Sequence, residues 1–169
     1  MDEVRFAQYG SRCRMWVPPE VRDPVLLHYP TRKSVGYWGA IRLRTGALVT
    51  CRETESFNGQ TCWHFLQHLY RRARQPGRQT VVITDNAAFH YAILHHAWRE
   101  AHAPRFALDF LPPYSPELNP IERVWKLTRR LQLHNRYFAT LDEVITSVEG
   151  QFQEWASPNA ALRRLCAVT

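Results

Sequence analysis

The segment Phe110-Leu111-Pro112-Pro113-Tyr114-Ser115-Pro116-Glu117-Leu118-Asn119-Pro120-Ile121-Glu122-Arg123-Val124-Trp125 predicts a proline-rich loop that runs into a helix. Its four prolines fix their own φ angles and restrict the residue before each of them, so the loop has little conformational freedom. Asn119 suits the N-cap position, Pro120 the first helical position and Glu122 the third. The segment therefore predicts a rigid connection that places the Glu122 carboxylate on the first turn of a helix.

The placement of Glu122 has two interpretations. Asn119 and Glu122 can form a capping box, in which the carboxylate accepts a hydrogen bond from a free backbone N–H at the helix start. Alternatively, the rigid loop holds the carboxylate for chemistry. The local pattern leaves both interpretations open. The positions of the other acidic residues of the chain distinguish between them.

Strand patterns dominate the first third of the chain. Alternating apolar residues predict a strand over 3–9, and a shorter one is expected over 14–17. Residues 34–43 and 47–52, on either side of a Gly-containing turn, predict a hairpin. Residues 20–32 predict an irregular loop.

Helices and strands alternate after the hairpin. A helix capped by Asn58 or Thr61 ends before the breaker Gln75-Pro76-Gly77. The β-branched run 80–84 is typical of a strand buried on both faces. The remaining predicted elements are a helix over 88–100, a strand over 106–110, a helix opened by a Thr140–Glu143 capping box, and a last helix over 158–165. This order predicts an α/β fold: a mixed sheet of three antiparallel strands followed by parallel strands, with helices on both faces.

Composition predicts a globular, cytoplasmic protein. The chain has 169 residues, 45% of them hydrophobic, which favours one domain with a full core. No apolar run approaches the roughly 20 residues of a membrane span. The start, Met1-Asp2-Glu3-Val4-Arg5, lacks the apolar core of a signal peptide. The four cysteines form no CxxC pair, so we expect reduced thiols.

The net charge of +7 and a pI near 9.6 favour a polyanionic partner. The arginines cluster along the chain, and each cluster is either a solvated face or part of a surface that contacts phosphates. The clusters are Arg12 and Arg14; Arg42 and Arg44; Arg71, Arg72, Arg74 and Arg78; and Arg129 and Arg130.

Three acidic residues occupy positions where chemistry is common. Asp85 follows the 80–84 strand, the usual location of functional groups in an α/β sheet, although it can also simply close an Asx-turn. Asp2 lies on the first strand, and its position alone is typical of an acidic residue on the surface. If these two strands are neighbours, the rigid loop can bring Glu122 to the same point. Carboxylates in a cluster repel unless a cation joins them, and Mg²⁺ prefers such oxygen ligands.

Two runs of the sequence carry a family resemblance. VVITDNAAFH (81–90) and LDFLPPYSPELNPIERVWKLTRR (108–130), with DEVRF (2–6) and GYWGAIRLRTG (36–46), resemble the catalytic domain of DDE-type transposases of the mariner-like superfamily, in its bacterial insertion-sequence branch. The resemblance covers nearly the whole chain. It implies a ribonuclease-H-like fold and a metal-binding acidic triad.

The resemblance also implies roles for individual residues. Asp2, Asp85 and Glu122 are the expected catalytic and metal-binding triad, and Glu3 replaces Asp2 only if the strand register slips. Mg²⁺, with Mn²⁺ as a substitute, is the expected cofactor, in two ions. Asn86, His90 and Asn119 are expected to support the site. The residues expected to contact DNA are Arg42, Arg44, Arg71, Arg72, Tyr114, Arg123, Lys126, Arg129 and Arg130.

The implied reaction is metal-dependent cleavage of transposon ends followed by strand transfer into target DNA, without a covalent enzyme intermediate. DNA is the expected partner, with self-association in a transposition complex, no membrane, no small-molecule cofactor, and a bacterial cytoplasm with the nucleoid as the site of action. The helix-turn-helix region of the family has no counterpart in this sequence, so we expect 1–169 to be the catalytic domain without it, a fragment or the second part of a split reading frame. The alternatives are an inactive DNA-binding remnant and a ribonuclease-H-like nuclease.

Overall fold

Three antiparallel strands form the first part of the fold. The computed structural model describes residues 1–9, 11–14, 16–20, 31–73 and 77–167. In it, β1 (Asp2–Ala7) pairs with β2 (Ser34–Arg42), and β2 pairs with β3 (Ala47–Glu53). Gly46 closes the β2–β3 turn at φ +72°, a conformation that glycine adopts without steric cost. The predicted hairpin is confirmed.

A parallel pair follows. Strands β4 (Thr80–Thr84) and β5 (Phe106–Phe110) are parallel and are connected through α2 (His96–His102). The pair lies beside β1, because the backbone nitrogen of Met1 donates a hydrogen bond to the Ile83 carbonyl over 2.6 Å. The predicted order of antiparallel and then parallel strands is confirmed.

Helices lie on both faces of the three-stranded sheet, as predicted. On one face α1 (Gly59–Ala73) packs against Trp38 and Val82. On the other face lie α3 (Pro120–Thr128), α4 (Leu141–Trp155) and α5 (Ala160–Leu165), and their core includes Phe6, Tyr37, Trp125, Phe152 and Leu162. No helix in the described segments is both long and apolar enough to cross a bilayer.

Side-chain caps fix where two of these helices begin. Asn58 Oδ1 accepts from the backbone nitrogens of Gln60 and Thr61, at 2.9 and 3.0 Å. Thr140 Oγ1 accepts from the Glu143 nitrogen at 3.3 Å, while the Glu143 carboxylate accepts from the nitrogen of Ala139. Each cap satisfies backbone donors that have no partner inside the helix. The predicted starts of α1 and α4 are therefore confirmed.

The expected strand over 14–17 is wrong for the residues described there. Arg14 and Val17 have no regular structure, and Trp16 is fully exposed. Asn135 instead holds this region through its side chain, which pairs with the backbone of Cys13. Residues 21–30 of the predicted loop, Met15, and Gln75 and Pro76 of the predicted breaker lie outside the described residues.

The expected helix over 88–100 is also wrong in its first half. Two short 3-10 turns, Ala88–Tyr91 and Ile93–His95, precede α2, separated by an extended Ala92. The turns aim His90 and His95 inward, where both rings are fully buried. Polar rings at these positions form local hydrogen bonds that a continuous helix would not offer, and His95 Nε2 lies 2.9 Å from the Phe89 carbonyl oxygen.

Burial of β4 on both faces is wrong as well. Val82 and Thr84 are buried, whereas Val81 is 50% exposed and Ile83 37% exposed. A run of β-branched residues indicates a strand, but it does not show whether another element covers each face. Here the described residues cover only one face of β4.

Candidate active site

Strand β1 places Asp2 in the interior. The residue is 7% exposed and stands opposite Gly39 of β2. Its Oδ2 accepts a hydrogen bond from the indole nitrogen of Trp125 on α3, over 3.0 Å. A buried carboxylate needs such a donor, because an unpaired charge in the core is costly. Trp125 therefore fixes one oxygen of Asp2.

Asp85 follows β4 directly and is held from two sides. Its Oδ1 accepts from the backbone nitrogen of Ala87 at 3.2 Å and lies 3.1 Å from Nε2 of His90. His90 is fully buried, and burial lowers the pKa of its imidazole to about 4. The ring is therefore neutral near pH 7, and its contact with Asp85 is a hydrogen bond rather than an ion pair.

The other contacts of His90 fix its orientation. Nε2 also lies 2.9 Å from the Thr84 hydroxyl, and Nδ1 lies 3.4 Å from the Cys62 sulfur. Burial raises the pKa of the Cys62 thiol to about 12, so the thiol keeps its proton, and Nδ1 accepts from it if the ring proton is on Nε2 facing the acceptor Asp85. A carboxylate only accepts, so its contact with Nε2 favours that position of the proton.

Glu122 occupies the first turn of α3, as predicted, but not in a capping box. The Asn119 backbone nitrogen donates to the Pro116 carbonyl, and its side-chain amide donates to the Met1 carbonyl over 3.4 Å. Among the described residues, no side-chain bond from Asn119 caps α3. Asn119 thus ties the loop before Glu122 to the start of β1.

The acids influence one another electrostatically. Burial raises the pKa of Asp2 to about 6, and repulsion from Glu122 and, more weakly, from Asp85 acts in the same direction. Burial also raises the pKa of Glu3 to about 7, with Asp2 and Asp85 adding to it. Glu3 follows Asp2 on the strand and so points to the opposite face, where its charge adds to the burial that raises the Cys62 pKa. Strands β1 and β4 and helix α3 thus bring Asp2, Asp85 and Glu122 within electrostatic reach.

The chemistry of these residues fits a hard divalent cation. Asp2, Asp85 and Glu122 offer only oxygen ligands, and a cation between them would relieve their repulsion. Among the described residues, however, no three His, Cys, Asp or Glu side chains already stand in a metal-binding arrangement. Glu122 and Asp85 each act on the Asp2 carboxylate, but the three acids of the described residues form no closed set of ligands.

Asn86 connects the two loops that carry Asp85 and Glu122. Its side-chain nitrogen donates to the Leu111 carbonyl over 2.6 Å, and its oxygen accepts from the Tyr91 hydroxyl over 2.6 Å. The Tyr91 ring stacks on Phe110 at the end of β5. The position predicted to support the site therefore braces these loops.

The arginines expected to contact DNA on β2 and α1 surround a groove between β2 and β4. Arg42, Arg44 and Arg72 line this groove together with Arg78. Arg42 donates to the Arg72 carbonyl over 3.4 Å, whereas Arg71 is exposed and donates to the Gln67 carbonyl within α1.

The basic residues beyond Glu122 differ in their surroundings. Arg123 donates to the carbonyls of Leu165 and Ala167, both over 3.0 Å, so its guanidinium closes the end of α5. Arg129 lies over the Phe6 ring and lines a second groove. The remaining expected DNA contacts on this side, Lys126, Arg130 and Tyr114, are exposed, and Tyr114 is completely so.

Sequence reasoning missed three contributors to the site. It did not single out Trp125 for the site, although the indole nitrogen of this residue donates to Asp2. It did not connect Cys62 with His90, and it gave no role to Gly39, whose missing side chain leaves room for the Trp125 ring. No local pattern in the sequence pointed to these three residues. The nearest signal was the position of Thr84 and Asp85 at the end of a predicted strand.

Comparison with known proteins gives one family match and several structural ones. A family model described as DDE superfamily endonuclease matches residues 1–145. The chain is 38% identical over 76 residues to the Uncharacterized protein y4pE/y4sA of Sinorhizobium fredii (strain NBRC 101917 / NGR234), covering 44% of this chain and 52% of that protein.

Solved structures that the chain matches include complexes of the Mos1 transposase. The chain matches the Mos1 strand transfer complex with a TM-score of 0.66 and 19% identity, over 97% of this chain and 48% of that chain. The Mos1 mariner paired end complex with Mn matches with a TM-score of 0.68 and 18% identity, over 98% of this chain and 50% of that chain. The similarity shows a shared ribonuclease-H-like fold. The chain spans about half the length of the relatives that it matches.

Proposed function

Because the chain belongs to the DDE superfamily endonuclease family, we propose that it is the catalytic domain of a DNA transposase, which cleaves transposon ends and transfers them into target DNA. One observation carries the proposal: hydrogen bonds from Met1 to Ile83, from Asn119 to Met1 and from Trp125 to Asp2 join the three segments that carry the acids, and Glu122 and Asp85 both add to the rise that burial causes in the pKa of Asp2. A domain gains nothing in stability from three acids that repel, so their meeting point favours a role with a cation and a phosphate.

The three carboxylates would hold divalent ions. Mg²⁺ or Mn²⁺ fits this oxygen-only set, and Mos1 complexes have been solved with both metals. When bound, two such ions would activate the attacking oxygen and stabilise the leaving oxygen. The chain's own part is to hold the carboxylates in position.

The hydrogen bonds leave one oxygen of each aspartate open. Trp125 engages Oδ2 of Asp2, and His90 with the Ala87 nitrogen engages Oδ1 of Asp85. The opposite oxygen of each carboxylate receives no hydrogen bond from the described residues. Trp125 and His90 would thus orient the aspartates, and Asn119 would fix the turn that aims Glu122.

The reaction would proceed in two successive nucleophilic substitutions at phosphorus. Water attacks the phosphate at a transposon end, one P–O bond forms and one breaks, and a 3′-hydroxyl is released. That hydroxyl then attacks a target phosphate in the same way, so no covalent bond to the enzyme is needed. Arg129, Arg130, Lys126 and Tyr114 would contact DNA beside Glu122. Two copies would act on a pair of ends, since Mos1 is seen in a paired-end complex.

Substitution of the acids tests the proposal. Asp85→Asn and Glu122→Gln should each abolish nicking and strand transfer of labelled transposon-end DNA with Mg²⁺ or Mn²⁺, while leaving DNA binding unchanged. The assay uses both the chain alone and the chain fused to a module that binds the substrate. Asp109→Asn is the matched control, because Asp109 is an exposed acid on β5.

The outcomes separate the candidate functions. Transfer by Asp85→Asn or Glu122→Gln at the rate of the unsubstituted chain would overturn the assignment of the acids. Binding without nicking, even in the fusion, would indicate an inactive DNA-binding remnant. Preferential cutting of an RNA–DNA hybrid would indicate a ribonuclease-H-like nuclease.

A further inference from the structure

Helix α5 connects two distant parts of the fold. At its start, the Asn159 nitrogen donates to the Thr45 carbonyl in the β2–β3 turn over 2.9 Å, and Asn159 Oδ1 accepts from the Leu162 nitrogen over 2.9 Å. A Cβ added to Gly46 would overlap the Asn159 carbonyl oxygen, so only glycine lets the turn approach this closely. The start of α5 is therefore seated on the hairpin whose β2 pairs with β1, the strand that carries Asp2.

Arg123 holds the other end of α5. Its Nη1 donates to the carbonyl oxygens of Leu165 and Ala167, both over 3.0 Å. Carbonyls at the end of a helix lack partners within the helix and carry partial negative charge, so a guanidinium suits them. Arg123 lies in the first turn of α3, directly after Glu122. The bonds therefore join the turn that carries Glu122 to the end of α5.

Cys166 makes a second link to the same turn. It is buried, and its thiol donates to the Pro120 carbonyl over 3.4 Å. Burial raises the pKa of this thiol, so the thiol keeps the proton that it donates. Pro120 lies shortly before Glu122, and Arg123 lies directly after it. The two links thus hold the backbone on either side of Glu122.

The first turn of α3 depends on such links for its direction. Helix α3 has nine residues, and helices of that length are marginal on their own in water. No side-chain bond caps its start among the described residues. Packing against neighbouring elements therefore decides where the first turn points. The bond from the Asn119 amide to the Met1 carbonyl and the two links to α5 supply that packing.

The surroundings of Arg123 separate it from the other basic residues on α3 and just beyond it. Lys126 and Arg130 are exposed, whereas Arg123 is half-buried and donates twice to main-chain carbonyls. If its guanidinium turned toward a phosphate, these carbonyls would lose that donor. Hydrogen bonds from a charged donor are among the stronger ones in proteins, so this exchange of partners is unfavourable.

We propose that Arg123 is a positioning residue: it fastens the first turn of α3 to the end of α5, holds the Glu122 carboxylate toward Asp2 and Asp85, and does not contact DNA. The role of Glu122 rests on the proposed function, whereas the bonds of Arg123 do not. Because the other end of α5 sits on the β2–β3 turn, Glu122 is held relative to the sheet that carries Asp2. Arg123 thus acts through the backbone of Glu122 and not on a reacting group.

Hydrogen exchange tests the bonds without DNA or metal. The reporters are the amides of Val124 and Trp125, whose acceptors in an α-helix are the carbonyls four residues earlier, in the first turn. Arg123→Met removes the donors to α5 and should speed exchange at both amides about tenfold. Arg164→Met is the matched control. It removes the same charge from an exposed position in the last turn of α5 and should leave exchange at both amides unchanged.

Arg123→Lys and the salt dependence of DNA binding separate positioning from a phosphate contact. Lysine serves a phosphate well as a point charge, but its nitrogen is one bond closer to the backbone than Nη1 of arginine. Arg123→Lys should therefore behave like Arg123→Met in exchange and in nicking. In DNA binding followed by anisotropy, Lys126→Met should lower the slope of log K against log salt by about one, whereas both Arg123 variants should keep the slope of the unsubstituted chain.

Nicking of labelled transposon-end DNA with Mn²⁺ tests the consequence for Glu122. Because a misplaced catalytic group slows a reaction strongly, Arg123→Met should nick about tenfold more slowly at saturating DNA, with DNA affinity unchanged. Phe106→Leu is the control for lost stability. Phe106 is buried at the start of β5, at the end of the strand away from Asp85. This variant should nick as the unsubstituted chain does at temperatures where circular dichroism shows it folded.

The proposal is overturned if Arg123→Met leaves exchange at Val124 and Trp125, or nicking, as it is in the unsubstituted chain. Full rescue by Arg123→Lys would show that the charge alone suffices, and a lower salt slope in Arg123→Met would identify a phosphate contact. Equal loss of nicking in Phe106→Leu would show a general effect of stability. If the unsubstituted chain neither binds nor nicks DNA, the proposed function fails, and the exchange results alone decide whether Arg123 fastens the turn.

Discussion

Gly39→Ala tests how the packing of β2 positions Asp2. Gly39 stands opposite Asp2 in the β1–β2 ladder. A Cβ added there would overlap Cη2 of Trp125 and lie 2.6 Å from its Cζ2, and it would also lie 3.1 Å from Cδ1 of Ile121. Trp125 and Ile121 are both at most 1% exposed, so neither side chain can move into solvent. The indole has to shift, and its bond to Asp2 shifts with it.

The expected loss of stability follows from overpacking. Extra methylene groups in a well-packed core cost roughly 1–3 kcal/mol. The upper half of this range applies here, because a rigid indole is the obstacle and its hydrogen bond to a buried carboxylate is strained too. For a chain of this size, each kcal/mol lowers Tm by about 2–4 °C, so we expect a loss of roughly 4–12 °C.

Urea and thermal denaturation measure this effect, with near-ultraviolet circular dichroism reporting the environment of Trp125. Gly150→Ala is the matched control, since a Cβ at Gly150 in α4 meets nothing within 4 Å. Replacing a glycine inside a helix by alanine should stabilise the protein by roughly 0.5–1 kcal/mol. If Gly39→Ala is as stable as the unsubstituted chain, or gains stability as Gly150→Ala does, the assigned packing around Trp125 is refuted.

Three further predictions concern the site and its ligands. Trp125→Phe should destabilise the protein by about 2 kcal/mol or more in urea denaturation, because it removes the donor to the Asp2 carboxylate; an unchanged midpoint would contradict this bond. Since the pKa of Asp2 rises from 3.8 to about 6, its charge opposes folding above that range, and Asp2→Asn should add up to about 3 kcal/mol at pH 7 in EDTA. That gain should vanish near pH 3, where the carboxyl is protonated in both states, and a gain that persists there would have another origin. DNA binding should weaken steeply with salt in a titration by anisotropy, and a flat response would exclude the arginines as phosphate contacts.

Local patterns predicted the elements whose signals lie close together in the chain. The cap and apolar face of α1, and the strand-forming residues on either side of the β2–β3 turn, depend on residues near one another in the chain, and the structure has these elements as expected. The helix predicted over 88–100 failed because His90 and His95 turn inward for contacts that hydrophobic patterns do not register. The prediction that β4 is buried on both faces failed at Val81, because burial of a strand depends on which elements pack against it.

The candidate site was predictable only in outline. Asp85 and Glu122 were identifiable because a strand end and a proline-fixed helix start are local features. The bond between Trp125 and Asp2 joins residues 123 positions apart, so no window of sequence contains it. The contact of Cys62 with His90 and the space above Gly39 likewise exist only after the sheet and helices have packed.

Tyr114 offers a practical consequence. Its backbone adopts φ 57°, a left-handed conformation that is uncommon for a residue with a side chain, and its ring is completely exposed. Glycine or asparagine would adopt this conformation at lower cost, and because the ring is completely exposed, its replacement should cost the fold little. With the exposed Cys13 and the partly exposed Cys51 replaced by serine, a cysteine introduced there would carry a spin label or dye at the tip of the loop leading to Glu122. Such a probe would report motion of the loop that precedes Glu122. It would not alter the side chains of the buried core.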